Sequence, residues 1–459
     1  MTELYSAGAD NASAPGTPRH SADCKSAIER PKRALQIRQP GVELSRLHRS
    51  NMRSTVSMSI YPERAVERDQ WIVARRPLRN PVDPRRPYAF LLEEERAESG
   101  EVVSVATIFL ANRECPWRCL MCDLWKNTLT ETVPVGAIPA QIDYALKRLG
   151  GPGCNPKPAK TGRAQVRDKV ELAQTVKIPL SPSDGQRGVP PINLTRRSTD
   201  FTGAPIKQIK LYNSGSFFDP RAIPPEDHEA IAHRVAAFER VIVECHPALI
   251  GESAPRFRGV LMNPNVTSSG RSTSRRDGGH LPPTRLGGEG PTLEVAMGLE
   301  TAQPNVLAKL NKRMTLEQFR RAAESLRENE IPLRVFVLVK PPFLDEIEAL
   351  RWARRSVDFA FDCGAAAVSL IPTRFGNGAL ETLARRGEFS PPKLSTLEAA
   401  LEYGIRLKRG RVFADLWDLE IFSDCAECFQ ERCGRLHRVN LEQALRPPVV
   451  CKRCRGRCT

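Results

Sequence analysis

Short apolar runs alternate with amphipathic segments through the middle of the chain. Six runs are almost continuously apolar, as strands covered on both faces are. They lie at 102–110, 206–212, 241–245, 294–299, 333–339 and 366–371. One intervening segment has Thr315 and Gln318 at the spacing of a helix capping box, followed by apolar residues on one helical face, Phe319 among them. The alternation predicts parallel βα units in an α/β protein, arranged as a partial barrel or an open parallel sheet.

The apolar pattern also divides the chain into regions. Residues 1–80 lack apolar periodicity and are basic, which predicts a disordered tail. The core is predicted over 81–410, and a basic, cysteine-rich module over 411–459. Two polar stretches, at about 150–205 and about 256–290, interrupt the core and are interpreted as surface insertions.

Composition narrows the class of protein. The chain has 459 residues, of which 41% are hydrophobic, so a large core can form. No apolar run is long enough to span a bilayer, and the N-terminus has no secretory h-region, so we expect a cytoplasmic protein without a membrane partner. The net charge of +16 favours binding to polyanions. Because basic tails could carry much of that charge, it does not by itself establish a nucleic-acid partner.

Nine of the thirteen cysteines fall into two groups. They are Cys115, Cys119 and Cys122, and then Cys425, Cys428, Cys433, Cys451, Cys454 and Cys458. Without a secretory signal, clustered cysteines indicate metal ligands rather than disulfides.

The first group has C-x3-C-x2-C spacing and follows the first predicted strand directly. Three thiolates on one short loop can bind three irons of a 4Fe–4S cubane, which leaves the fourth iron free to chelate the amino and carboxylate groups of S-adenosylmethionine (SAM). The alternative is a zinc site. Such a site normally has four ligands, and this loop offers three and no histidine.

The loop resembles the signature of the radical SAM superfamily. Longer strings carry a closer resemblance: CDLWKNT at 122–128, LYNSGSFFDP at 211–220, MGLET at 297–301 with LNKRM at 310–314, and VKPPF at 339–343. Together they are similar to the family that includes the archaeosine synthase radical subunit and is related to the Elongator catalytic subunit. The resemblance covers roughly residues 85–440 without the two insertions.

The resemblance implies a fold, cofactors and partners. It implies a partial (β/α)6 radical SAM barrel that holds a 4Fe–4S cluster and cleaves SAM reductively to a 5′-deoxyadenosyl radical. It also implies an enzyme that modifies a tRNA base and receives electrons from a donor such as flavodoxin or ferredoxin. Two alternatives stay open: a radical SAM enzyme acting on a small metabolite or peptide, and a non-catalytic zinc- or RNA-binding protein.

Residues at the ends of the predicted strands complete the expected site. The resemblance implies that one strand-end loop and Glu300 bind SAM; the loop residues are Asn213, Ser214, Gly215 and Ser216. An ordinary βα turn is the alternative for that loop. Glu244 and Lys340 also end strands, and we expect them to contact substrate or SAM as catalytic residues. A solvated lysine is the alternative for Lys340.

The C-terminal cysteines predict a second metal centre. Cys425, Cys428, Cys451 and Cys454 form two C-x2-C pairs that suit a zinc site with four thiolates. Cys433 and Cys458 are additional, so a second iron–sulfur cluster is the alternative. Eight lysines and arginines lie between 432 and 457, so this module could also grip RNA phosphates or be merely solvated.

Overall fold

The computed structural model describes residues 59–150, 205–263 and 290–454. At its centre is one eight-stranded sheet whose strands neighbour one another in chain order. The strands are β1 Ala89–Arg96, β2 Val102–Leu110, β3 Ile206–Asn213, β4 Arg240–Glu244, β5 Thr292–Glu300, β6 Leu333–Val339, β7 Ala365–Pro372 and β8 Arg411–Ala414. β1 pairs antiparallel with β2, and all later pairs are parallel. The predicted partial barrel is confirmed, and the six predicted strands are β2 to β7.

Helices lie around this curled sheet, and several of them pack on its outer face. They are α1 Ala65–Val73, α2 Ala137–Leu149, α3 Asp227–Val235, α4 Ser253–Met262, α5 Pro304–Lys309, α6 Leu316–Glu328, α7 Glu346–Asp362, α8 Ala379–Arg385, α9 Leu394–Leu407 and α10 Ala426–Glu442. Thr315 and Gln318 form the predicted capping box at the start of α6. Alternate strand residues such as Ile209 and Val335 are fully buried among these helices in the main hydrophobic core.

The inner face of the sheet carries charges instead. Arg334 of β6 donates to Glu95 of β1 at 2.6 Å and to Glu294 of β5 at 2.7 Å. Lys210 donates to Glu95 at 2.6 Å, and Arg240 to Glu294 at 2.6 Å. With Arg411, these residues form what we call the ion layer. Although burial raises it, the Arg334 and Lys210 charges hold the pKa of Glu95 well below its usual range.

β1 and β8 are the two ends of the sheet, and α10 lies against both. Gln443, just after α10, donates to the Val412 carbonyl at 2.9 Å and accepts from the Val412 amide at 2.7 Å. Asn440 bonds the Ala414 backbone in the same way, at 2.8 and 2.9 Å. The predicted boundary at residue 411 therefore falls inside the barrel, because β8 begins there and α10 is bonded to it.

The structure also moves two other predicted boundaries. Residues 1–58 of the predicted tail lie outside the described residues, but 59–80 are described and include α1, whose Trp71 and Ile72 pack in an apolar cluster with Leu120. The folded chain therefore begins before residue 81. The second predicted insertion starts later than residue 256 because α4 continues to Met262. Residues 151–204 and 264–289 lie outside the described residues.

Among the helices of the described residues, none is both long and apolar enough to cross a membrane.

Candidate functional site

The loop that carries Cys115, Cys119 and Cys122 follows β2 and so lies at the carboxyl edge of the parallel strands, where barrel active sites form. We call residues 111–122 the cluster loop. Two hydrogen bonds fix the backbone of Leu120: its amide donates to the Leu310 carbonyl at 2.9 Å, and its carbonyl accepts from the Asn377 side-chain amide at 2.6 Å. The loop is thus held in place by chain segments far away in sequence.

Charged and aromatic contacts hold the same loop. Glu114, next to Cys115, accepts from Arg76 at 2.7 Å and pairs with Arg118 at 3.1 Å. The Trp117 ring stacks on the His246 ring after β4, with centroids 3.8 Å apart. Burial lowers the pKa of His246 to about 3, so its ring is neutral. Its Nδ1 accepts from the Ala248 amide, and its Nε2 can then donate to the Lys312 carbonyl at 3.0 Å.

The three thiols of the cluster loop are only partly accessible to solvent. Burial raises the pKa of Cys119 to about 12 and that of Cys122 well above its usual value. Burial also raises the pKa of Cys115, and the nearby Lys312 charge opposes this rise for both Cys115 and Cys119. These thiols are therefore protonated when free, and binding a metal would release their protons.

The spacing of the thiols and the chain packed against them fit an iron–sulfur cubane. Within the described residues, one group of ligand atoms converges closely enough for a single ion, and it is the C-terminal one, not the cluster loop. Ligands of a cubane bind separate irons and need not converge. A Cβ on Gly215 would lie 2.7 Å from the Cys115 Cβ, so the β3 loop can pass this close only with glycine there.

Three of the four predicted SAM-binding residues at the end of β3 have polar side chains, and these side chains differ in what they contact. Ser214 donates its hydroxyl hydrogen to the Leu124 carbonyl at 3.1 Å, and Ser216 accepts from the His246 amide at 2.7 Å. These hydroxyls hold neighbouring loops. Asn213, by contrast, is buried, and neither atom of its amide has a hydrogen-bond partner in the described structure. Buried amides are normally satisfied, so Asn213 is placed to bond a ligand.

A buried ion pair lies beside the thiols. Lys312 bonds Glu300, and both residues are buried at the end of β5. Glu300 has a positive φ of 66°. Lys312 lies in the LNKRM segment, but the sequence did not predict a role for it. The signal was Gly298, since a Cβ there would collide with both the Glu300 carboxylate and the Lys312 ammonium group.

Glu244 faces this pair from the end of β4. Burial raises the pKa of Glu244 to about 8; the Lys312 charge opposes this rise, and the Glu300 charge adds to it. Unlike Glu300, the Glu244 carboxyl makes no hydrogen bond or ion pair with other described residues. It is therefore a half-buried acid with free bonding capacity at the mouth of the barrel.

Lys340 directly follows β6, at the strand end that the sequence predicts for it. Its ammonium group pairs with Glu346 and donates to Ser390 at 2.9 Å, and the residue is buried. A lysine that is already neutralised in this way ties the loop after β6 to the segment before α9. The contacts support a structural role for Lys340 rather than contact with a substrate.

The four C-terminal thiols converge as predicted. The sulfur atoms of Cys425 and Cys451 are 4.0 Å apart, those of Cys428 and Cys454 are 3.9 Å apart, and all four lie within 4.8 Å of one another. We call these residues the quartet. The Cys428 backbone amide donates to Cys425 and lowers the pKa of that thiol to about 6. The quartet is a metal-binding group with the donor set of a tetrahedral zinc site.

The other predicted features of this module are only partly met. Cys433 is not a member of the quartet and packs against the main core, and Cys458 lies outside the described residues. Two of the eight basic residues are buried: Arg432 pairs with Glu398 at 2.6 Å, and Arg435 pairs with Glu402. These two arginines stabilise the packing of α10 on α9 and are not available to RNA.

Parts of the chain are similar to known proteins. No family model matches the chain. An uncharacterized protein of Methanocaldococcus jannaschii is 23% identical over 79% of this chain and 81% of its own length. Archaeosine synthase subunit beta of Methanosarcina acetivorans is 27% identical over 41% of this chain, and the match spans about half of that protein, 49%.

One solved structure with a partial overlap is archaeal Elp3 of Methanocaldococcus infernus. Its TM-score is 0.36 at 12% identity, over 52% of this chain and 56% of that one. A score this low describes only a partial superposition. The curated relatives named archaeosine synthase subunit beta confirm the family resemblance predicted from the sequence.

Proposed function

From this relationship to the radical SAM superfamily, we propose that the chain cleaves SAM reductively at a 4Fe–4S cluster and modifies a base in tRNA. The observation that supports the proposal most strongly is the cluster loop itself. It presents three half-buried thiols at the carboxyl edge of a partial barrel, beside the unpartnered Asn213 amide and the Glu300–Lys312 pair.

Cys115, Cys119 and Cys122 would hold three irons of the cluster. When bound, the cluster supplies an electron that splits the sulfonium of SAM and yields a 5′-deoxyadenosyl radical. The chain's own residues would hold SAM and shield it from solvent. Asn213 would offer its NH2 group as a donor and its oxygen as an acceptor to the methionyl or adenosyl part of SAM. Glu300, paired with Lys312, would offer its carboxyl oxygens to the ammonium or hydroxyl groups of SAM.

The tRNA substrate is supported by the relatives and by charge. Two relatives are named archaeosine synthase subunit beta, and the chain carries a net charge of +16. An acidic electron carrier such as flavodoxin or ferredoxin is the proposed electron donor. For the quartet we propose zinc rather than a second iron–sulfur cluster, because its four thiols converge on one point.

The test uses anaerobic protein, SAM, a strong reductant and total tRNA in one reaction. The proposal predicts release of 5′-deoxyadenosine together with a mass shift in one tRNA nucleoside. Release without any nucleoside change would retain the radical chemistry and remove tRNA as the substrate. If no deoxyadenosine were released with any reductant, the proposed enzymatic function would be wrong.

A matched pair of variants links the reaction to the loop. Cys119→Ser should abolish release of deoxyadenosine, whereas Cys363→Ser should not. Cys363 is also a buried thiol, but it packs in the core at the end of α7.

A further inference from the structure

The inner face of the barrel carries a second layer above the ion layer, and it is aromatic. Arg334 on β6 reaches Glu95 on β1 although these strands are not neighbours in the sheet, so both side chains cross the concave interior. Because strand residues two apart share a face, Phe336 also points into the interior. Tyr212, two residues after Lys210, does the same. The two rings meet across the barrel, with centroids 5.9 Å apart.

Three more rings extend this layer. Phe109 of β2 lies 6.2 Å from Tyr212, and Trp417 after β8 lies 6.2 Å from Phe109. Tyr88, before β1, lies 5.7 Å from Phe109, and its hydroxyl bonds Ser214 beside the cluster loop. We call Tyr88, Phe109, Tyr212, Phe336 and Trp417 the aromatic band. It runs from the ion layer to the thiol-bearing loop.

The rings of the band are not sealed in the core. All five are half-buried, whereas residues of the outer face such as Ile209 and Val335 are fully buried. Partly exposed rings inside a barrel border an open space. Two of the contacts are edge-to-face, Tyr212 with Phe336 and Phe109 with Trp417, so the band presents ring faces as well as edges.

Polar groups without partners border the same space. Neither the Tyr212 hydroxyl nor the Glu244 carboxyl makes a hydrogen bond within the described residues. Glu244 lies two residues after Ile242 and four after Arg240, which belongs to the ion layer, so it too points inward. An aromatic wall with a few unpartnered hydrogen-bonding groups is typical of a site for a planar heterocycle.

We propose that the aromatic band binds a single nucleobase of the substrate, inserted into the barrel, with the Tyr212 hydroxyl and the Glu244 carboxyl at the edge of its ring. The assignment rests on the proposed function, which requires a base of a folded RNA to reach the cluster loop. Enzymes that act on a base take it out of its stack, and stacking on aromatic side chains offsets the lost base stacking. The basic chain favours a nucleic acid over a peptide as the carrier of the ring.

The test measures binding of guanosine to the full chain by saturation-transfer NMR, with N-acetyltyrosinamide as a probe for a peptide ring. The proposal predicts saturable guanosine binding that Phe336→Leu weakens by roughly tenfold, the expected effect of losing one stacking contact. Tyr212→Phe keeps the ring and should weaken binding by about threefold through the lost hydroxyl. Phe359→Leu makes the same change on the outer helix α7 and should have no effect.

Thermal unfolding of each variant shows whether it is folded. If Phe336→Leu is unstable, the smaller change Tyr212→Phe still tests whether the aromatic band binds guanosine. Equal guanosine affinity of the wild type and both band variants would overturn the proposal. Tighter binding of N-acetyltyrosinamide than of guanosine would overturn the nucleobase assignment. Deoxyadenosine release by the wild type without RNA tests the proposed function separately, so either idea can fail alone.

Discussion

The cluster loop and the quartet are both groups of cysteines, but they differ in how closely their thiols converge. The quartet has four thiols within 4.8 Å of one another, enough to complete the coordination of one ion. The cluster loop has three thiols that do not converge in this way, and buried acids, a lysine and an unpartnered amide lie next to them. A metal bound by the quartet would be enclosed by protein ligands, whereas the proposed cluster on the loop would keep one iron for a ligand from outside.

The surroundings of the two groups differ in the same sense. The quartet lies at the start of α10, the helix that is bonded to β8, so a metal bound there would stabilise a part of the fold. The cluster loop lies at the barrel mouth, where burial raises the pKa of its thiols. The comparison teaches that the number of thiols, their convergence and their neighbours together distinguish a structural centre from a reactive one.

The largest effect is expected from removing one thiol of the cluster loop. Cys119→Ser leaves two thiolates for a cubane, so the loss of about four irons per chain and of all deoxyadenosine release is expected. Iron analysis and chromatography of the reaction products measure both. If this variant kept its iron and its activity, the proposed difference between the cluster loop and the quartet would be wrong.

Lys312→Met tests whether the charged neighbours of the loop matter. The change leaves the Glu300 carboxylate buried without its cation, which typically costs about 3–5 kcal/mol in the free energy of unfolding. Urea unfolding measures the loss, and the double variant with Glu300→Gln should recover part of it. Lys309→Met removes a lysine from an exposed position of α5 and should cost less than about 1 kcal/mol. Equal effects of the two lysine variants would contradict this account.

Cys428→Ser removes one thiol of the quartet, just as Cys119→Ser removes one thiol of the cluster loop. It should remove one equivalent of zinc and lower the midpoint of thermal unfolding by on the order of 5 °C, because a structural metal contributes to folding stability. The iron content of the cluster loop should stay the same. Loss of iron together with zinc would show that the two centres are not independent.

A more gradual effect is a pH dependence of stability that arises at Glu244. Its pKa is raised to about 8 in the folded chain and is near 4.3 when unfolded. Between these values the folded state holds a proton that the unfolded state releases, so stability falls as pH rises, by at most about 1.4 kcal/mol per pH unit. Glu244→Gln should flatten the curve between pH 5 and 8, as urea unfolding of the SAM-free chain would reveal. An unchanged slope would argue that Glu244 is ionised throughout.

Local patterns in the sequence were sufficient for much of this fold. The six apolar runs, the capping box at Thr315 and the positions of β2 and the cluster loop follow from spacing alone. The quartet was predictable for the same reason, since two C-x2-C pairs need only one chain reversal to meet.

Features that depend on distant partners were missed. β1 reads as an acidic segment, because Glu95 is compatible with a buried strand only once Lys210 and Arg334 lie opposite it. β8 has four residues and too little pattern to recognise. Lys312 lies twelve residues after its partner Glu300, and no spacing rule connects them. Arg432 looked solvated because Glu398, which neutralises it, is on another helix.

The most direct test of the open iron is electron paramagnetic resonance of the reduced chain, recorded before and after SAM is added. The Cys428→Ser variant serves to exclude any signal from the quartet. If three thiols hold the cluster and one iron is free, SAM binds that iron and changes the g-values of the signal. A signal that is identical with and without SAM would mean that a fourth protein ligand closes the cluster, and the catalytic account would be wrong.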